Sequence, residues 1–214
     1  MRRWAGTAIA AGAVLVGAFT ARAGDNLPDN PAPAECRVAP ITAERVAAIF
    51  ATPLPPPLPP ALQTAQAALV TPTPFALPRG EPVDAETADS VRDTIRALVA
   101  CLNSGDERRA FGLYSDDLLF DTYAPLIAAG YLTADEIAGS FDSGDRLPVE
   151  DWITLLSVDR IVRLDDGRVS AVVAADDPTT EGEPVPVLFF LVEDGSRWRI
   201  DGVIPRGDAE PPWW

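Results

Sequence analysis

The stretch Ile153-Thr154-Leu155-Leu156-Ser157-Val158-Asp159-Arg160-Ile161-Val162-Arg163-Leu164, followed by Asp165-Asp166-Gly167 and Arg168-Val169-Ser170-Ala171-Val172-Val173-Ala174-Ala175, decides the fold class. Both arms are rich in β-branched residues, and Asp-Gly between such runs is a hairpin signal, because glycine accepts the positive φ of a tight turn. Residues 185–192 and 197–204 repeat the arrangement around Glu193-Asp194-Gly195-Ser196. Four strands so closely spaced predict an antiparallel meander, with whatever precedes them covering one face. Alternation puts Val187, Phe189 and Leu191 on one face and Leu188, Phe190 and Val192 on the other, so both faces of that strand are apolar and a second copy of the chain could pair through the outer one. On the last strand the same rule sets Trp198, Ile200 and Gly202 opposite Arg199, Asp201 and Val203.

What precedes the strands is helical. From Ala85 to Asn103 the apolar residues Ala88, Val91, Ile95, Leu98, Val99 and Leu102 recur at three and four residue spacing, with Asp89, Arg92, Asp93 and Arg96 on the other face. Gly105 ends this helix, and residues 106–114 form the next. Residues 115–130 read as a loop and a short helix broken by Pro125. Thr133-Ala134-Asp135-Glu136 is a capping box, with Leu132 and Ile137 placed as a hydrophobic staple, for a helix ending near residue 141. The class is therefore α+β, over residues 84–205.

Residues 24–83 form a proline-rich arm. It begins with a polar lead-in expected to be disordered or extended, carries a short helix at residues 42–51 capped by Thr42 and stapled by Ile41 and Val46, and continues through Leu54-Pro55-Pro56-Pro57-Leu58-Pro59-Pro60, which proline holds in polyproline II. One or two helical turns at residues 61–70 and extended chain at residues 71–82 complete it. The arm reads as a strap along the domain, or else as a docking motif. In the tail at residues 206–214, Pro211-Pro212-Trp213-Trp214 is expected to fold back, since indoles prefer burial.

The chain opens with Arg2 and Arg3, an uncharged run from Ala8 to Phe19, and Ala21-Arg22-Ala23, the form of a signal peptide over residues 1–23. An uncleaved anchor is the alternative, and the arginine pair leaves twin-arginine export open beside the general route. Secretion is the expected localisation. Removing residues 1–23, with three arginines and no acid, takes the net charge from −15 to −18. Such acidity disfavours nucleic acid and, after cleavage, anionic membrane surfaces as partners. Cys36 and Cys101, in a chain that leaves the reducing cytoplasm, are expected to form a disulfide.

All seventeen basic residues are arginine, with no histidine. This excludes an imidazole base, a Ser-His-Asp or Cys-His pair, a lysine Schiff base and histidine-ligated metal. No phosphate loop, zinc spacing, calcium loop or nucleophile elbow is present, so neither a cofactor nor a metal is expected. Asp165-Asp166-Gly167 and Asp176-Asp177 are explained by a turn and a solvated loop. Any catalysis must use carboxylates, tyrosines and arginine. The candidates are Tyr114, Asp116, Asp121, Tyr123 and Asp201, with Asp117, Tyr131, Trp152 and Arg199 behind them. Asp116 and Asp117 otherwise cap a helix, the tyrosines otherwise belong to the core, and Arg199 and Asp201 otherwise form a solvated pair.

Helices followed by hairpins in about 120 residues resemble the NTF2-like superfamily, also called SnoaL-like or cystatin-like. Ala100-Cys101-Leu102-Asn103-Ser104-Gly105-Asp106, then Arg109 and Leu113-Tyr114-Ser115-Asp116-Asp117, is similar to the helix, N-x-G-D turn, helix opening of many members, and Trp198-Arg199-Ile200-Asp201-Gly202-Val203 is similar to their last strand. Asn103 and Gly105 can end one helix in left-handed geometry while Asp106 caps the next. The resemblance implies a curved sheet forming a cone with the helix layer. That cone serves isomerases, dehydratases, cyclases and epoxide hydrolases, and also non-enzymatic binders. For this chain it implies first a secreted, non-catalytic module holding a small apolar ligand or a protein partner. The alternatives are a carboxylate and tyrosine isomerase, dehydratase or cyclase, and a dimeric structural module.

Overall fold

A computed structural model describes residues 30–51, 77–140, 146–178 and 184–205. The expected signal segment, the proline run at residues 54–60, the turns expected at residues 61–70 and the tryptophan-containing tail lie outside the described residues.

Among the described residues the helices are α1 (Ala43–Phe50), α2 (Ala85–Asn103), α3 (Glu107–Phe111), α4 (Asp116–Ala128) and α5 (Ala134–Ser140), and the strands β1 (Glu81–Pro82), β2 (Thr154–Arg163), β3 (Val169–Asp176), β4 (Val187–Asp194) and β5 (Arg197–Pro205). The strands form one antiparallel sheet in the order β1-β2-β3-β4-β5, so the fold is α+β with an open meander. A side-chain oxygen starts each helix by accepting a backbone N–H that has no partner within the helix. Thr42 accepts from Arg45, Asp84 from Thr87, Asp106 from Arg109 and Ser115 from Leu118. At α5, Thr133 and Glu136 exchange bonds as the capping box requires.

The helices cover one face of the sheet. Val91, Ile95, Leu98 and Cys101 of α2 pack against Val169, Ala171 and Val173 of β3, Val187, Phe189 and Leu191 of β4, and Ile200 of β5, all buried. Burial of each large member is worth about 1.5–3 kcal/mol relative to exposure. Ile41, Val46 and Ile49 of the arm join this core, which the Cys36–Cys101 disulfide ties to α2 with the two Cα atoms 4.7 Å apart.

Several expectations are corrected. Residues 115–130 hold no loop with a broken helix, because α4 runs through Pro125. Ser115 caps α4, not Asp116 or Asp117, and Pro125 falls in its last turns, where the missing N–H costs one intrahelical bond. Of the two residues at this turn, Gly105 is left-handed, at φ 68°, while Asn103 ends α2 with a fully buried side chain. The sheet has a fifth strand, because the arm pairs Glu81 and Pro82 with Arg163 and Val162 before entering α2.

The simple alternation on β5 fails at a bulge. Phe190 faces Gly202 and Leu191 faces Ile200, leaving Asp201 as an extra residue that shifts the side-chain phase. Val203 therefore shares the core face with Trp198 and Ile200. Arg199 and Asp201 do not form a pair with each other. Arg199 binds Asp194 and the Gly112 carbonyl, while Asp201 accepts from Ser115 Oγ at 2.8 Å and lies 3.6 Å from Arg168.

Candidate functional site

The helix-facing side of the sheet is filled by the core just described. The opposite side carries a concavity. Ser170 and Val172 of β3, Leu188 of β4 and Val162 of β2 line it from the sheet, and Leu77, Pro78, Arg79 and Gly80 line it from the segment entering β1. Its volume is about 380 Å³. This lies at the small end of the range of about 300–1,000 Å³ common to ligand pockets. The segment reaches the sheet because residue 80 is glycine: a Cβ there would stand 2.4 Å from the Arg163 carbonyl oxygen.

Ser170 is the unusual member. It occupies a pairing position opposite Val162 and Phe190, is 1 % exposed, and its Oγ has no hydrogen-bond partner. A buried hydroxyl left unbonded costs about 1–3 kcal/mol, and buried polar groups are normally satisfied. The floor beside it is apolar, with Leu188 3 % exposed.

Arg160 also lines the concavity, with a backbone φ of 50°. The ladder between β2 and β3 slips between Asp159 and Val162, so residues 160 and 161 form a bulge. Left-handed backbone costs a non-glycine residue about 1–2 kcal/mol, and bulges of this kind re-aim side chains. Arg79 and Arg160 are both exposed, placing them at the mouth, and among the described residues the lining contains no carboxylate.

A second, wider groove of about 590 Å³ runs between the arm, α2 and β5 and includes Arg37, Arg109, Arg197 and Arg199. It also includes Glu35 and Asp93, and two of its arginines are already engaged: Arg109 by Asp106 and the Val38 carbonyl, Arg199 by Asp194 and the Gly112 carbonyl.

The candidates predicted from sequence lie elsewhere. Tyr114 is buried in the core, edge-to-face with Phe111 at 5.3 Å, and burial pushes its phenol well above the ordinary range. Tyr123 stands 6.3 Å from Phe111, half-buried, its pKa raised by burial and then by Glu107. Asp116 is exposed at the start of α4 and paired with Arg45 at 2.7 Å, while Asp117 and Asp121 are exposed on the same helix. Asp201 sits on the β5 bulge, hydrogen-bonded by Ser115. None of these residues lines either concavity. Tyr131 is exposed, Trp152 donates its indole N–H to the Leu147 carbonyl at 3.0 Å, and Arg199 belongs to the wider groove.

Sequence reasoning did not single out Ser170, Arg160 or Arg79. A serine at an alternating position of an otherwise apolar run was the only signal for Ser170, and nothing local announces the bulge at Arg160.

Among the described residues no group of His, Cys, Asp and Glu is placed to hold a metal ion, and no helix is long and apolar enough to cross a membrane. No family model matches the chain, and neither a curated protein nor a solved structure matches it significantly.

Proposed function

We propose that this protein is a secreted, non-catalytic binding module of NTF2-like architecture, and that it holds a small, mostly apolar ligand in the concavity on the open face of its sheet. The observation that carries the reading is the unbonded Ser170 hydroxyl, buried in a cavity of about 380 Å³ whose floor is apolar. A hydroxyl in that setting is a hydrogen-bond handle awaiting a partner, and a few polar groups among apolar walls is the usual composition of a ligand site.

Secretion is supported by the signal-like residues 1–23 and by the disulfide. The NTF2-like architecture is supported by the order of elements, by the left-handed Gly105 followed by the Asp106 cap, and by the helix layer on one sheet face. The site departs from the usual one of that architecture, because the space between helices and sheet is occupied by the side chains of the core. A binding role fits better than catalysis because, among the described residues, the lining offers no carboxylate, tyrosine or imidazole to act as a general acid or base.

The test is a titration of isotopically labelled protein with 1-octanol, followed by amide chemical shifts. Saturable shifts at Ser170, Val172, Leu188 and residues 77–80 are expected, and Val172→Trp, which fills the cavity, removes them. Absence of saturation, or shifts confined to other surfaces, rejects the site.

A further inference from the structure

The geometry points to an amphipathic anion, a carboxylate on a short hydrocarbon chain, as the ligand of this concavity, with Arg160 and Arg79 receiving the carboxylate at the mouth and Ser170 marking the polar point of an otherwise apolar floor. This inference rests on reading the cavity as a ligand site and adds the chemical class of what enters it.

The chain carries 32 acids against 17 arginines. A concavity whose described lining holds two arginines and no acid is therefore the reverse of the molecule's average. Neither guanidinium is tied into an ion pair or a side-chain hydrogen bond among the described residues, unlike Arg109 and Arg199 in the wider groove. Guanidinium groups bind carboxylates through a planar, forked geometry that gives orientation as well as attraction.

Arg160 is the one non-glycine residue with positive φ among those described. Glycine, asparagine or aspartate would fill such a position with less strain, so retaining a long cationic side chain there favours a use for it. The bulge sets Arg160 out of the regular alternation of β2 and onto the rim of the cavity. On the other wall, Gly80 lets the segment carrying Arg79 approach within contact of β2. Two independent backbone devices thus bring a guanidinium to the same opening.

Leu77, Pro78, Val162, Val172 and Leu188 supply apolar lining for a hydrocarbon chain. A wholly polar anion would leave this lining unused, and a neutral hydrocarbon would leave the arginines unused.

The experiment compares octanoate with 1-octanol, equal in chain length and different in charge, at neutral pH and low salt with the same amide-shift readout. Octanoate is expected to bind at least about tenfold more tightly, the scale of one added charge-assisted contact, although the net charge of the molecule opposes it. Arg79→Gln, an exposed change, and Arg160→Asn, which suits the left-handed backbone, are expected singly to reduce that preference and together to erase it. Octanol binding with no preference for octanoate, or a preference that survives the double variant, overturns this inference and leaves the apolar cavity standing. If neither compound saturates the cavity residues, the proposed binding function falls and this inference with it.

Discussion

The side-chain amide of Asn103 grips the backbone of Ile153 from both sides: its Oδ1 accepts the Ile153 N–H at 2.8 Å while its Nδ2 donates to the Ile153 carbonyl at 3.1 Å. The same Nδ2 donates to the Pro31 carbonyl at 3.0 Å, and the side chain is fully buried. One amide thus joins the end of α2, the entry to β2 and the start of the arm. Asn103→Ala leaves these buried backbone groups unpaired at once, and removing one partner from a buried network costs more than a surface hydrogen bond is worth. We expect a loss of about 2–4 kcal/mol in urea unfolding, on the scale of one to three unsatisfied groups. Asn103→Asp should be nearly as costly, since a carboxylate cannot donate to the two carbonyls. A change below about 0.5 kcal/mol, the level of an ordinary surface substitution, would show that the pairing does not support the fold.

The disulfide closes a loop of 65 residues between the arm and α2. The chain-entropy model assigns such a loop a stabilisation of roughly 4 kcal/mol. The double change Cys36→Ser and Cys101→Ser should lower stability by an amount of that order. In the unaltered protein, mass spectrometry without reductant should find a mass two hydrogens below the all-thiol value, and free thiols at both positions would contradict the bond.

Arg160 holds left-handed backbone that glycine adopts without penalty. Arg160→Gly should therefore stabilise the protein by up to about 1 kcal/mol and raise its Tm by roughly 2–4 °C, with the added freedom of the unfolded glycine taking back part of the gain. The same change removes a guanidinium from the cavity mouth, so stability and octanoate preference should move in opposite directions. A fall in Tm would mean that Arg160 is held by contacts stronger than the strain it bears.

Tyr114 and Tyr123 have raised pKa values, in both cases chiefly because burial disfavours the phenolate. In the unfolded chain each phenol ionises near pH 10, while in the folded chain each keeps its proton to higher pH. The stability this contributes is fully present below about pH 10 and is lost as pH rises beyond it, because there the unfolded state binds fewer protons. Phenolate absorbance should thus lag behind that of free tyrosine until unfolding releases it in a cooperative step. Tyr114→Phe should weaken the alkaline fall in stability. A gradual, non-cooperative titration of both groups near pH 10 would contradict their burial.

The parts of this fold legible in the sequence are those whose causes are short-range. The apolar spacing from Val91 to Leu98 places α2, Thr133 and Glu136 place the start of α5, and Gly167 and Gly195 mark the two hairpins, each at positive φ. The cysteine pairing followed from counting two cysteines in a chain read as exported. Where a local rule met a longer-range cause it failed. Pro125 reads as a break, yet α4 continues through it, its Leu119 and Ala124 buried. Glu81 and Pro82 read as extended chain without a partner, yet β2 offers them an open edge.

The candidate site belongs almost wholly to the second kind. Residues 77–80, 160–162, 170–172 and 188 are scattered along the chain, and only the meander brings them around one cavity. Nothing in the run around Ser170 says that its hydroxyl goes unpaired, because that depends on the strands and segment opposite it. Helix period, caps, turns and cysteine count were determined by the sequence alone, since each acts within a few residues or by simple chemistry. The bulges that turn Arg160 and Asp201, the grip of Asn103 on Ile153 and the cavity beside Ser170 were decided by tertiary structure, because register and burial exist only once distant segments lie side by side.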